Sequence, residues 1–257
     1  MSANKTYSLL GSSVSAIQHD GIMDQLVQWS RAKSFGHYIV VANTHVLMEA
    51  RRDPLLRQAV DAADLVIPDG MPLVVVGRLR GFPLKRRADG PGLMAAALDR
   101  FQGEGLSHYF YGGTPESLRS LRETVAERWP SARVAGAYAP PFRRLSIQED
   151  DAVVGAINAA RPDVLWVGLG CPKQERWMLE HRERLKVPVM LGVGQAFDLL
   201  SGVKRRAPAW MCNCGLEWFY RFTHEPRTWK RYLLCNPQFV TLAVIEQLRY
   251  WRSHRSN

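Results

Sequence analysis

The sequence predicts an α/β fold: a Rossmann-like parallel sheet with helices on both faces, followed by a helical, basic appendage. Short apolar segments alternate with longer amphipathic ones as far as Gly202, and most of them end near Gly, Pro, Asn or Asp. This alternation is typical of parallel strands that are connected by helices. After Gly202 the pattern changes, and arginine and aromatic residues become dense. We therefore expect a core over residues 1–202 and the appendage over residues 203–257.

The expected elements follow from length, apolar spacing and neighbouring turn residues. Strands are expected near residues 8–11, 37–42, 64–67, 107–111, 132–137, 163–168 and 187–193. Helices of the core are expected near residues 23–32, 43–60, 71–79, 91–102, 115–129, 147–160 and 173–185. In the appendage we expect one helix over 208–222, a further turn at Glu225-Pro226, and a last helix from Asn236-Pro237 to about Trp251.

Size and composition predict a cytoplasmic globular protein. The 257 residues are 46% hydrophobic and 23% charged, which suffices for a substantial core and excludes wholesale disorder. No apolar run approaches the ~20 residues of a membrane-spanning helix, and the amino terminus lacks the apolar stretch of a secretion signal. We interpret the four cysteines as reduced packing residues, because Cys212 and Cys214 have the spacing of neither a zinc knuckle nor a thioredoxin-type pair.

Positive charge is concentrated in the appendage. Residues 203–257 contain ten Lys or Arg and three Glu, a net charge of +7 out of +10 for the chain. Such a segment favours a phosphate-rich partner: a membrane face, a diphosphate or a nucleic acid. Phe239, Leu242, Ile245 and Leu248 lie at helical spacing. We expect this stripe to dock on protein rather than lipid, although a basic amphipathic helix can also lie in a membrane interface.

Asp69 is the most informative single residue. It follows the apolar segment 64–67 and stands between Pro68 and Gly70, which end the strand. This places a carboxylate at the carboxyl end of a parallel strand, where open α/β sheets bind ligands. The alternative is that Asp69 only caps the next helix. Asn43 and His45 follow the preceding strand in the same way and could share its crevice, although Asn43 is also a natural helix cap.

Glycine turns follow three further strands and indicate a nucleotide-type ligand. They are Gly112-Gly113, Gly168-Leu169-Gly170 and Gly192-Val193-Gly194. Glycines let backbone N–H groups approach a phosphate or ribose closely. Gln174, Glu175 and Asp198 come after these turns and are candidates for substrate contact or for helix caps.

Several familiar motifs are absent from the sequence. It has no P-loop, no Gly-x-Ser-x-Gly and no His-Glu-x-x-His. It also has no Asp-x-Asp, with which many sugar transferases hold a metal at the diphosphate. An enzyme that handles a nucleotide diphosphate without a metal needs arginines to neutralise the leaving group, and the appendage supplies them.

Ordered blocks from about Leu10 to Phe239 resemble the WecG/TagA/CpsF family of bacterial glycosyltransferases, glycosyltransferase family 26. In the core these blocks are Val41-Ala42-Asn43, residues 63–70, Gly90-Pro91-Gly92-Leu93-Met94, Tyr111-Gly112-Gly113, residues 168–175 and residues 192–198. In the appendage they are Arg206-Ala207-Pro208, Gly215-Leu216-Glu217-Trp218, Tyr220-Arg221, Glu225-Pro226-Arg227 and Arg231-Tyr232. Their number and order make the resemblance specific.

The resemblance implies an inverting transfer of a hexose-type sugar from a UDP-sugar to a saccharide on a polyprenyl diphosphate. This implies a metal-independent enzyme with no cofactor, working at the inner face of the cytoplasmic membrane in exopolysaccharide or other cell-surface polymer synthesis. Asp69 would be the general base, and Arg221, Arg227 and Arg231 would hold the diphosphate. The appendage would close over the site and contact the membrane. No nucleic-acid partner is implied, and a homo-oligomer remains open.

The chain departs from the family pattern in places. Val41 stands where many members have Thr, Gly92 where an acidic or polar residue is common, and Thr228 where the family often has Arg, one position after Arg227. We expect the first two changes to affect sugar choice, favouring an exopolysaccharide branch over the N-acetylmannosamine branch.

Two other functions compete with the glycosyltransferase. A nucleotide-binding oxidoreductase would need a phosphate-binding glycine loop on the first strand of the sheet, where Asn43-Thr44-His45 stands instead. A nucleic-acid-binding module would use the aromatic and arginine residues of the appendage, but it leaves Asp69 without a role.

Overall fold

The protein is described by a computed structural model that covers residues 5–214, 216–225, 229 and 231–254. The strands are β1 (Thr6–Leu9), β2 (Ser12–Ser15), β3 (His37–Ala42), β4 (Leu65–Pro68), β5 (Ser107–Gly112), β6 (Arg133–Tyr138), β7 (Val164–Gly168) and β8 (Val189–Gly192). The helices of the core are α1 (His19–Ala32), α2 (Thr44–Ala50), α3 (Pro54–Asp61), α4 (Met71–Leu79), α5 (Gly90–Glu104), α6 (Pro115–Arg128), α7 (Ile147–Ala160), α8 (Lys173–His181) and α9 (Ala196–Leu200). The appendage contains α10 (Ala209–Asn213), α11 (Glu217–His224), a π-helical turn (Arg231–Cys235) and α12 (Asn236–His254).

The centre of the molecule is a parallel sheet of six strands in the order β4-β3-β8-β7-β5-β6. Both faces are covered, and β3 shows how. Tyr38 and Val40 point into a core that contains β1, β2, α2–α4, α7 and α8, whereas Ile39 and Val41 point into a core built with α1, α5, α6 and α9. Successive side chains of a strand point to opposite faces, so a wholly apolar strand feeds two cores. The predicted α/β fold with helices on both faces is confirmed.

The strand expected over residues 8–11 is wrong, because the chain turns back there. β1 and β2 form a separate antiparallel hairpin in which Leu9 pairs with Ser12. Leu10 and Gly11 make the two-residue turn with φ of 52° and 81°. Positive φ at both turn positions suits the twist of a tight hairpin. The hairpin joins the sheet edge through the Ser15 hydroxyl, which accepts a hydrogen bond from the Val66 N–H at 3.1 Å.

The single helix expected over residues 43–60 is also wrong, because α2 and α3 are separate helices. Asp53 caps α3 by accepting hydrogen bonds from the N–H groups of Leu55 and Leu56 at 3.1 and 3.2 Å. Pro54 occupies the first helical position, where its missing N–H costs nothing. A capping Asp followed by Pro starts a new helix in the middle of an otherwise continuous apolar pattern.

The helix expected over residues 208–222 divides into α10 and α11. The sequence has Gly215 between them, and glycine is a poor residue for a helix interior. No helix in the described ranges is both long enough and apolar enough to cross a membrane.

α12 lies against the hairpin and α4 along only part of its surface. Phe239 is buried, and the Glu246 carboxylate accepts from the Leu10 N–H at 2.7 Å and from Arg80 at 2.9 Å. The apolar stripe expected to dock on protein is therefore divided. Phe239 packs inward as expected, whereas Ile245 and Leu248 are 42% and 47% exposed.

Candidate active site

A cleft of about 1140 Å³ runs along the carboxyl ends of the parallel strands. The turns after β3, β4, β5, β7 and β8 all contribute to its wall, as expected for an open α/β sheet. The strands β5 and β7 are neighbours, yet their connections lead in opposite directions, to β6 and β8, which opens a crevice between the turns. Most of the sequence-predicted site residues line this one cleft: Asn43, His45, Asp69, Gly113, Gly170, Gln174, Gly194, Asp198 and Arg221.

Asp69 is held at the wall of the cleft by its backbone. Its N–H donates to the carbonyl of Ala42 at 2.8 Å, which continues the pairing of β4 with β3 by one residue. Gly70 is the capping residue of α4, and no side chain caps this helix. The alternative in which Asp69 serves as a helix cap is therefore excluded.

The pKa of Asp69 is raised to about 7. Burial is the main cause, because it disfavours the charged carboxylate, and the nearby charge of Asp89 acts in the same direction. Arg87 lowers the pKa, Glu217 raises it, and Arg221 lowers it. A carboxyl group with this pKa is partly ionised at neutral pH and is basic enough to take a proton from a hydroxyl in a transition state.

Three arginines and two acids form an ionic network beside Asp69. Glu217, on α11, is paired with Arg87 from the core and with Arg221 at 2.7 Å. Burial would raise the pKa of Glu217, but the charges of Arg221 and Arg87 outweigh it, and the pKa is lowered. These contacts bring guanidinium groups from the core and from the appendage to one edge of the cleft.

Asp89 forms the second part of this network. Its carboxylate pairs with Arg206 of the appendage and caps α5 by accepting from the Gly92 N–H at 3.2 Å. A Cβ atom on Gly92 would lie 2.8 Å from the Asp89 carboxylate, so the glycine found here leaves room for the cap.

No individual site role was expected from the sequence for Arg87, Asp89, Arg206 or Glu217. The basic run Lys85-Arg86-Arg87, directly before the Gly90-Pro91-Gly92 block, was the available signal for Arg87. A guanidinium group can bind two phosphate oxygens at once, so Arg87 and Arg206 join Arg221 as candidates for a diphosphate site.

Asn43 and His45 lie at the start of α2. The Asn43 side-chain oxygen accepts from the N–H groups of His45 and Val46 at 3.0 and 3.2 Å. Asn43 is thus the helix cap that its type predicts, and it also lines the cleft. Val41, at the position where the family often has Thr, lines the cleft too and is 6% exposed.

Gln174 joins two of the glycine turns. Its side-chain oxygen accepts from the N–H groups of Gly170 and Gly194 at 3.1 and 3.0 Å, and its amide donates to Glu175 at 2.9 Å. Glu175 is fully buried, and burial raises its pKa despite the hydrogen bond from Gln174. Glu175 therefore holds the amide of Gln174, whose side-chain oxygen joins the two glycine turns.

The remaining predicted residues divide between the wall of the cleft and its support. Gly112 packs directly on β7, because a Cβ atom there would lie 2.5 Å from the carbonyl of Gly168. Asp198 lines the cleft, accepts from the Ser117 hydroxyl at 2.8 Å and pairs with Lys204 at 2.9 Å. Arg227 lies outside the described residues. Arg231 begins the π-helical turn, and its side chain also lies outside what the structure describes.

Comparison with known proteins identifies the family of the chain. The model of the glycosyl transferase WecG/TagA/CpsF family matches residues 7–253. A protein of Bacillus spizizenii is 33% identical over 83% of this chain and 80% of its own length. A protein of Bacillus subtilis is 27% identical over 84% and 82%, and one of Staphylococcus aureus is 29% identical over 76% and 73%. All three are named N-acetylglucosaminyldiphosphoundecaprenol N-acetyl-beta-D-mannosaminyltransferase.

The family match, from residue 7 to residue 253, covers nearly the whole chain and therefore includes the cleft. The chain is a glycosyltransferase that belongs to the WecG/TagA/CpsF family.

Proposed function

We propose that this glycosyltransferase moves a hexose-type sugar from a UDP-sugar to a saccharide carried on a polyprenyl diphosphate, with inversion at the anomeric carbon. The observation that carries the proposal is Asp69, a carboxyl group with a pKa of about 7 on the wall of a cleft edged by arginines. The names of the three relatives support an acceptor of this kind, since each specifies an N-acetylglucosaminyl diphosphoundecaprenol.

Asp69 acts as the general base. Its carboxylate takes the proton of the acceptor hydroxyl while the hydroxyl oxygen forms a bond to the anomeric carbon. The bond from that carbon to the UDP phosphate oxygen breaks at the same time, and UDP leaves from the opposite face. General-base assistance typically contributes about 10²–10⁴-fold in rate.

The arginines compensate the charge that builds up on UDP as it leaves. Arg221 lines the cleft, and it shares Glu217 with Arg87. Guanidinium groups aimed at developing negative charge stabilise a transition state without a metal ion. We therefore propose transfer that is independent of Mg²⁺ and Mn²⁺ at the diphosphate, and the pairing of these arginines with Glu217 supports their placement before the donor arrives.

The enzyme works at the inner face of the cytoplasmic membrane, where the lipid-linked acceptor is found. The exposed apolar side chains of the appendage support this location. They are Val203, Trp210, Leu216, Trp218, Phe219, Trp229, Leu233, Leu234, Val240, Val244, Ile245, Leu248 and Trp251. The +7 charge of the same segment favours an anionic membrane surface.

UDP release tests the proposal. Bacterial lipid extracts serve as acceptor with UDP-glucose, UDP-N-acetylmannosamine and UDP-glucuronate as donors, in buffer freed of Mg²⁺ and Mn²⁺ by a chelating resin. One donor should support turnover, and Asp69→Asn should lower kcat at least ~100-fold, because the variant has no base. Asp20→Asn is the matched control, since the Asp20 side chain is 95% exposed.

Turnover that requires added Mg²⁺ or Mn²⁺ would contradict the metal-independent transfer. A near-normal kcat for Asp69→Asn would contradict the assignment of the base.

A further inference from the structure

Three side chains with metal-binding atoms meet where the appendage crosses α2. His45 and Glu49 are four residues apart on one face of this helix, with 4.0 Å between Nδ1 of His45 and Oε1 of Glu49. Cys235, the last residue of the π-helical turn, is buried beside them. One ligand atom from each of the three lies within 4.8 Å of the other two.

We propose that His45, Glu49 and Cys235 bind a zinc ion that fastens the appendage to the core. Thiolate, imidazole and carboxylate are the ligands that Zn²⁺ takes in proteins, at about 2.0–2.3 Å. Tetrahedral geometry at these bond lengths separates the ligand atoms by about 3.3–3.8 Å, so small side-chain rotations close the site. The thiol of Cys235 loses its proton to solvent on binding. Water fills the fourth position.

Polar contacts on both sides hold this junction in place before any metal arrives. The Thr44 hydroxyl donates to the Asn236 side chain at 3.3 Å, and Arg52 donates to the Gln238 side chain at 2.5 Å. Arg52 also lies 3.6 Å from Glu49, in a partly exposed ion pair. Water screens ion pairs of this kind, so Arg52 is a weak competitor for the carboxylate.

The position of the site gives the metal a consequence for the cleft. His45 lines the cleft and follows Asn43, which caps α2 and lines the cleft as well. A zinc ion here therefore connects the turn after β3 with the segment between α11 and α12. None of its three ligands belongs to the Arg87–Glu217–Arg221 network, so its role is to hold the appendage in place, while the arginines still bind the diphosphate.

Metal content and cobalt spectroscopy of the full chain test the site directly. Protein incubated with ZnCl₂ and passed over a desalting column should retain about one zinc per chain. Replacement by Co²⁺ should give the near-ultraviolet charge-transfer band of a thiolate–cobalt bond. Cys235→Ser should lose this band, while Cys214→Ser, which changes an exposed cysteine, should keep it. Glu49→Gln, a milder change on the surface of α2, should weaken zinc binding at least about tenfold.

Hydrogen exchange supplies a second readout. Zinc should slow amide exchange in residues 231–240 of the wild type and leave exchange unchanged in Cys235→Ser, whose fold is checked by circular dichroism. Wild-type protein that retains no zinc, or a Cys235→Ser variant that keeps the cobalt band, would overturn the proposal. Asp69→Asn should keep its zinc while losing turnover, so failure of the zinc site and failure of the proposed reaction give different results.

Discussion

At the scale of single residues, the surroundings of Asp69 change its acid–base properties. An exposed Asp, with a pKa near 3.8, is a poor proton acceptor at neutral pH. Here burial and Asp89 raise the pKa, and Arg87 and Arg221 limit the rise. The resulting pKa lies near 7, so at neutral pH the carboxyl group is partly ionised and is basic enough to accept a proton.

The activity of the enzyme should depend on pH through the ionisation of Asp69. Because the proposed base, Asp69, must be ionised to accept a proton, kcat/KM should fall as the pH drops below about 7. Asp89→Asn removes a negative charge that raises this pKa, so the acidic limb should move to lower pH by about half a unit or more. Asn caps helices as well as Asp does, so α5 is preserved. Asp99→Asn, an exposed change on the same helix, should leave the limb in place, and an unmoved limb in Asp89→Asn would contradict the assignment.

The free energy of unfolding should also depend on the ionisation of Asp69. A carboxyl group whose pKa is raised by folding binds more protons in the folded state than in the unfolded state. Its ionisation therefore lowers the free energy of unfolding as the pH rises from about 4 to about 7. Asp69→Asn removes this cost, so at pH 8 the variant should be more stable than the wild type by about 1–2 kcal/mol, after allowance for solvent in the cleft.

Thermal unfolding at pH 4 and pH 8 measures this difference in stability, because each kcal/mol shifts the melting temperature by about 2–4 °C. The gain should be present at pH 8 and absent at pH 4. Equal melting temperatures for the two proteins at pH 8 would show that Asp69 carries no such cost.

At the scale of elements, the close contact of β5 with β7 requires a glycine at position 112. Gly112 has a φ of 124°, and a Cβ atom there would meet the backbone of Gly168 at 2.5 Å. Gly112→Ala should therefore lower the free energy of unfolding by at least about 2 kcal/mol. Gly155→Ala is the matched control. Gly155 lies within α7 with nothing within 4 Å of its added Cβ atom, so this change should stabilise by about 0.5–1 kcal/mol.

Denaturant unfolding of both variants tests the pair. An unchanged midpoint in Gly112→Ala would mean that the two strands can separate at little cost.

The elements also show what the sequence could and could not predict. Apolar runs ending in turn residues located the sheet, and the parallel order then brought Asn43, Asp69, Gly170 and Gly194 to one edge. The break between α2 and α3 was missed although Asp53-Pro54 signals it, because the apolar spacing continues across it. The pairing of Arg87 with Glu217 joins segments 130 residues apart, and no local pattern encodes such a contact.

At the scale of the whole molecule, the appendage is bound to the core by charged and polar contacts. Arg87 holds α11 through Glu217, Asp89 holds Arg206, and Arg80 holds α12 through Glu246. The ion pairs on α11 and α12 use Glu217 and Glu246 of the appendage, whereas Arg205, Arg249 and Arg252 and a row of apolar side chains are exposed. A basic, apolar surface of this kind is suited to an anionic membrane.

Binding to lipid vesicles tests whether this surface of the appendage contacts a membrane. The wild type should float with vesicles that contain anionic phospholipid and bind less to vesicles of phosphatidylcholine alone, because charge attracts the appendage before its apolar side chains insert. Val244→Glu and Leu248→Glu change exposed positions of α12 and should each reduce binding several-fold, since each adds repulsion and removes apolar area. Phe35→Glu is the control: Phe35 is 52% exposed and precedes the amino end of β3, away from the cleft. If Phe35→Glu reduced binding as much as the α12 variants, the membrane would contact another face of the protein.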